Sequence, residues 1–206
     1  ERARTEQLER QAAQTQLMLL QSQLEPHMLF NTLANLRVLI DNDPVRAQVM
    51  LDHLIAYLRA TLNASRASSH PLQAEFQRLR DYLELMAIRM GPRLSFELRL
   101  PPELATQDVP TLLLQPLVEN AIRHGLEPKV LGGTVTVRAS GADGMLVLDV
   151  EDTGSGPVPG TPAEGGFGLA QVRERLRTRY GDAARLSFPP GRDVGMAVRI
   201  ELPRQG

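Results

Sequence analysis

The sequence predicts an α+β fold: an N-terminal helical hairpin followed by a domain that mixes helices and strands. Two observations point to it. Leucines recur at helical spacing as far as Leu62, and short strand patterns at 94–100, 134–139 and 145–151 then alternate with further helical stretches. The strands are not spaced as repeated βαβ units, so a doubly wound parallel sheet is not expected.

In the first third, Leu17, Leu20 and Leu24 form one apolar stripe, and Leu29, Leu33, Leu36 and Ile40 form a second. Pro26 falls between them. It removes a backbone donor and crowds the carbonyl of Ser22, so a kink is expected. Asp43 is placed to cap a new helix with Pro44 in its first position. That helix carries Leu51, Leu54, Leu58 and Leu62 on one face. Two such helices joined by a short turn make an antiparallel hairpin. A hairpin cannot cover its own apolar face, so a second copy completing a dimeric four-helix bundle is the natural solution. Small polar residues at 63–71 mark the connection. The expected boundaries are 1–64 for the hairpin, 65–71 for a linker and 72–206 for the second domain.

The second domain opens with a helix over about 73–90. A strand at 94–100 and a helix over 109–126 follow. Strands at 134–139 and 145–151 flank a turn at Gly141-Ala142-Asp143-Gly144. A stretch rich in Gly, Pro and Thr at 153–166 reads as a loop. A helix over 167–180 and strands at 184–188 and 196–202 complete the domain.

Composition narrows the function. A net charge of −1 gives no basic field, so nucleic acid is not an expected partner. No apolar run is long enough to cross a membrane, and the charged first residues are not a signal peptide. The chain opens on Glu1 instead of Met, which predicts a piece of a longer protein. Without cysteine there is neither a disulfide nor a thiolate metal site. His27, His53, His70 and His124 lack ligand-like spacing, so a zinc site is not expected.

Three segments of the second domain carry chemistry. In Gln115-Pro116-Leu117-Val118-Glu119-Asn120-Ala121-Ile122-Arg123-His124-Gly125, Asn120 and Arg123 stand about one helical turn apart and can face one ligand. An amide oxygen suits Mg²⁺, and a guanidinium neutralises phosphate. In Asp152-Thr153-Gly154-Ser155-Gly156, a carboxylate at a strand end can accept from an adenine amine, although Asp-x-Gly is also ordinary turn chemistry. In Gly165-Gly166-Phe167-Gly168-Leu169, glycines open a helix whose free N–H groups suit phosphate. Neither a P-loop nor a Rossmann fingerprint is present.

Order and spacing of these segments resemble the N, G1 and G2 boxes of the GHKL (Bergerat-fold) ATPases, and most closely the sensor histidine kinases of the LytS/YehU type. The resemblance is carried by LQSQLEPHMLFNTLANL, RDYLELMAIRMGPRL, VPTLLLQPLVENAIRHGL, VEDTGSGP, GGFGLAQVRERLRTRYG and GMAVRIELP. It implies a Bergerat-type α/β sandwich that binds ATP and Mg²⁺. It further implies a homodimeric protein-histidine kinase of a two-component system, with His27 as phospho-acceptor and an aspartate of a response-regulator receiver domain as the next acceptor. Asn120 would hold Mg²⁺ and Asp152 the adenine. Gly154, Gly156, Gly166 and Gly168, with Phe167 and Leu169, would frame the nucleotide and its lid, with Arg123 and His124 nearby. The implied localisation is the cytoplasmic portion of a membrane-anchored sensor, touching the membrane only through a segment outside this sequence.

The residues agree at His27, since a neutral imidazole is a competent nucleophile near pH 7. Asn31, four residues on, shares its helix face and resembles a residue that positions a water for dephosphorylating the partner. Many histidine kinases of other families place an acid after the acceptor, but here that position is Met28. Glu25 and Glu119 are then the candidate bases. Glu164 stands where the lid motif has its first glycine. Two rival readings are a nucleotide-binding GHKL scaffold without phosphotransfer, and a GHKL serine kinase or ATPase of another family.

Overall fold

The computed structural model describes residues 26–64, 67–156, 167–190 and 194–204, and for Pro26, His27 and Phe167 it describes the backbone alone. The chain divides into two compact units, Glu1–Ala67 and Ser68–Gly206.

The first unit is the expected hairpin, α1 (Pro26–Asn42) and α2 (Pro44–Ala64). Asp43 caps α2 as its position predicts, its carboxylate accepting the Arg46 N–H at 3.1 Å. The buried residues of α2 are Ala47, Met50, Leu54, Tyr57, Thr61 and Ala64, a three-four spacing that keeps one seam along the helix. Thr61 adds no polar penalty to that seam, because its hydroxyl donates to the Tyr57 carbonyl at 2.9 Å. On α1 the buried positions include Met28 and Thr32. Of the stripe Leu29, Leu33, Leu36 and Ile40, Leu33 and Ile40 are exposed and Leu29 and Leu36 half-buried, and Phe30, Leu51 and Ile55 are exposed as well. The upstream stripe Leu17, Leu20 and Leu24, and the kink expected above Pro26, lie outside the described residues.

The second unit is built on a five-stranded sheet ordered β2-β4-β5-β7-β6. Its strands are β2 (Leu94–Arg99), β4 (Gly133–Ala142), β5 (Met145–Asp152), β6 (Arg185–Ser187) and β7 (Ala197–Pro203). Only β2 and β4 run parallel; every other pairing is antiparallel. Asp143 and Gly144, both at positive φ, close the two-residue turn from β4 to β5. The register lines up Val137, Val150 and Val198, then Ala139, Leu148 and Ile200, on one buried face. Helices α3 (Leu72–Met90), α4 (Gln115–Asn120) and α5 (Phe167–Tyr180) supply the helical part of the sandwich, with α4 touching both α3 and α5.

Two expectations need correction. Residues 69–71 are not linker: Ser69–Pro71 form β1, paired antiparallel with β3 (Asp108–Pro110). Residues 109–126 are not one helix either. The pairing with β1 claims 108–110, and Leu112 at φ 57° breaks any helix running through it. Helix α4 begins only at Gln115, where Pro116 needs no backbone donor. From Ala121 to Leu126 the helix then widens into a π turn, with the Glu127 N–H bonded to the Ile122 carbonyl at 2.8 Å.

Candidate functional site

Asp152 ends β5 on the buried face and is 5% exposed. Burying a carboxylate there requires hydrogen bonds to satisfy it. One comes from the Gly154 N–H, which donates to Oδ1 at 2.7 Å. The π turn brings Gly125 directly against this carboxylate, and a Cβ on Gly154 would lie 2.3 Å from the Gly125 carbonyl carbon. Both positions therefore exclude a side chain. The Ser155 N–H completes the junction by donating to the Gly125 carbonyl at 3.1 Å. Thr153 ties the turn to β4: its N–H bonds the Thr134 carbonyl, and its hydroxyl accepts the Thr134 N–H at 2.9 Å.

Asn120 lies at the end of α4, half-buried, immediately before the π turn. Gly168 in the first turn of α5 packs onto this helix. A Cβ on Gly168 would sit 3.0 Å from Pro116 Cβ and 3.6 Å from the Asn120 side-chain nitrogen. Leu169 and Val172 bury the next turn of α5.

The start of α4 is fixed from α3. The fully buried Glu75 accepts the Leu114 N–H at 2.8 Å through Oε1, while Oε2 meets His70 Nε2 at 2.6 Å and the Arg78 guanidinium. Burial pushes the Glu75 carboxyl upward, but Arg78, His70 and the Leu114 amide together outweigh it and hold the carboxyl below its ordinary value. Arg175 of α5 donates to the carbonyl of Leu112, the residue at positive φ.

Comparison with known proteins gives the family of the chain. The histidine kinase family matches residues 15–94, and the histidine kinase-, DNA gyrase B- and HSP90-like ATPase family matches residues 106–206. The chain belongs to the histidine kinase family. It is 34% identical over 201 residues to the sensor histidine kinase BtsS of Escherichia coli strain K12, covering 96% of this chain and 35% of that protein. To the sensor protein LytS of Bacillus subtilis strain 168 it is 30% identical over 197 residues, covering 90% of this chain and 33% of that protein. The chain thus spans about a third of the length of these relatives. The histidine kinase domain of the blue-light activated kinase from Erythrobacter litoralis EL346 shares the fold, with TM-score 0.54, 23% identity, and 92% and 93% of the two chains covered.

In this kinase-family chain the structure brings together Asn120 with Gly168, and Asp152 with Gly154 and Gly125. Arg123 and His124 fall within the π turn and are exposed, not aligned with Asn120 on a regular helix face. Glu119 already accepts a bond from Gln115 Nε2 at 2.8 Å. Gly156 adopts φ +74° in the turn after Asp152. Gly166 lies outside the described residues, as do Glu25 and Glu164. Asn31 is exposed on α1, one turn beyond His27.

Sequence reasoning missed Gly125, Gly195 and Glu75. Gly125 stood within the Asn120 segment, but nothing there signals a π turn. Gly195, just before β7, approaches the Asp152 carbonyl across a separation no local pattern encodes. A cleft of about 670 Å³ between β1–β3 and α5, lined by Ser69, Thr111, Glu174, Arg175 and Arg179, contains none of the expected site residues.

Proposed function

We propose that this chain is the catalytic portion of a protein-histidine kinase that binds Mg-ATP in its second unit and phosphorylates His27. The reading is carried by one observation: a buried carboxylate at a strand end, Asp152, packed against glycines that admit no side chain. Such a site accepts a flat heterocycle and offers it a single acceptor for an exocyclic amine. Gly154, Gly156, Gly166, Phe167, Gly168 and Leu169 frame the nucleotide.

The donor set fits Mg²⁺ bound through the nucleotide. Among the described residues no group of three or more His, Cys, Asp or Glu could cage a metal, whereas Mg²⁺ usually takes one or two protein ligands alongside phosphates and waters. Asn120 would supply that ligand, and the ion would neutralise charge on the phosphates. Arg123 and His124 lie on the π turn that follows and serve the phosphates from there.

Transfer begins when an imidazole nitrogen of His27 attacks the γ-phosphorus with its lone pair. The bond from phosphorus to the β,γ-bridging oxygen breaks, and its electrons leave with ADP. The other ring nitrogen loses its proton to a base. Met28 is buried and apolar, so that base is Glu119 or Glu25. The phosphohistidine then passes its phosphoryl group to an aspartate of a response-regulator receiver domain.

We place the protein as a homodimer through its hairpin and as the cytoplasmic portion of a membrane-anchored sensor. No helix among the described residues is long and apolar enough to cross a membrane. Incubation with γ-labelled ATP tests the kinase reading. The unmodified chain takes up acid-labile label, and His27→Ala takes up none while keeping its ATP affinity. ATP binding without any labelling would favour a nucleotide-binding scaffold instead.

A further inference from the structure

The turn that carries Asp152 is gripped from outside the pocket by Lys129, the only lysine in the chain. Given the nucleotide-site reading above, we propose that Lys129, held in place by Arg93, is a positioning residue that aims the Asp152 carboxylate at the purine.

The geometry runs through one peptide unit. Lys129 Nζ donates to the Thr153 carbonyl at 2.8 Å, and the Gly154 N–H of that same peptide donates to Asp152 Oδ1 at 2.7 Å. A peptide is planar, so gripping its oxygen fixes the direction of its N–H. An ammonium on the oxygen also polarises the unit and strengthens the bond its N–H makes to a carboxylate. Lys129 therefore acts on Asp152 through that peptide.

An ammonium on a free loop could not do this, because ordering the loop costs more than one exposed bond returns. The loop between the π turn and β4 gets no help from a core, since Val130 and Leu131 are each 85% exposed. Arg93 holds it instead. Its Nε donates to the Val130 carbonyl at 3.1 Å, and its Nη2 donates to those of Glu127 at 2.9 Å and Lys129 at 2.8 Å. Arg89, on the last turn of α3, pairs with Glu127. Gly132, at φ +65°, closes the loop against the Arg93 carbonyl, where a Cβ would lie 1.8 Å from the oxygen. The Arg93 guanidinium, bonded to three carbonyls of the loop, thus helps set the backbone from which Lys129 reaches the turn.

The test compares Lys129→Met, Lys129→Arg and Arg93→Ala, with Asp152→Ala as control, titrating ATP and GTP and following thermal unfolding. Lys129→Met is expected to raise the ATP Kd roughly three- to thirtyfold and to narrow the preference for ATP over GTP, at an unchanged Tm. Lys129→Arg should restore part of both. Arg93→Ala should reproduce the loss, and the double variant should be little worse than either single one, since both act through one bond. Acylating the unmodified chain with an N-hydroxysuccinimide ester, which finds only Lys129 and the N-terminus, should mimic Lys129→Met. If Lys129→Met binds and discriminates nucleotides like the unmodified chain while Asp152→Ala does not, the positioning role is wrong and the site reading stands. If Asp152→Ala also binds ATP normally, both fall. Should Arg93→Ala fail to fold, Lys129→Met decides alone.

Discussion

The Asp152 carboxylate occupies the space a side chain on Gly125 would need: a Cβ there would lie 2.8 Å from Oδ1. The contact joins the end of β5 to the π turn that follows Asn120, so the two halves of the candidate pocket meet at these two residues. Gly125→Ala must displace Asp152 or unwind the turn. Overpacking of this kind costs about 1–3 kcal/mol. Denaturant unfolding should show that loss, and calorimetry should show weaker ATP binding. A variant matching the unmodified chain in both would mean that the carboxylate can retreat freely.

Much of this is legible in the sequence. Asp43-Pro44 marked a helix start because cap chemistry is local, and the alternation of β2 followed from a strand with one buried face. The expected helix over 109–126 failed for non-local reasons. Leu112 has a positive φ with its carbonyl bonded by Arg175, 63 residues away, and Leu114 is anchored by Glu75 from another helix. The three candidate boxes were visible as motifs, yet the π turn that joins two of them leaves no mark in hydrophobic spacing.

Glu75 links stability to pH. Its folded carboxyl sits below its ordinary value, so its stabilisation is complete above the ordinary carboxylate range. It is lost progressively as pH falls below about 5, because protonation leaves Arg78 buried without its counter-charge. Denaturant midpoints measured across acidic pH should fall more steeply for the unmodified chain than for Glu75→Gln. Glu75→Gln should itself destabilise at neutral pH by about 3–5 kcal/mol. Parallel pH profiles for the two would remove Glu75 from the linkage.

The dimer has a sharper test than the leucine stripe alone offered. Leu54, expected at the interface, is buried within the chain, whereas Leu33 and Ile55 are 46% and 39% exposed. Aspartates at Leu33 and Ile55 would therefore be solvated in a monomer and desolvated only in a paired bundle. Leu33→Asp with Ile55→Asp should yield a folded monomer by light scattering and circular dichroism. A persistent dimer would move the interface to other residues.

Asn31 can be separated from His27, although one helical turn puts both on the same face of α1. An amide is no nucleophile, so Asn31 cannot replace the imidazole. It can orient a water toward a phosphoaspartate docked against the hairpin. The competing role is that of a polar residue fixing helix register in a bundle seam. Asn31 is exposed in the single chain, so a register role would require the second copy to cover it. Asn31→Ala distinguishes the two. Water positioning predicts normal labelling of His27 with dephosphorylation of the receiver domain slowed about tenfold or more. Register predicts a weaker dimer and both activities reduced together, since the fault then lies in the assembly. Dephosphorylation at the unmodified rate, with the dimer intact, would leave Asn31 neither role.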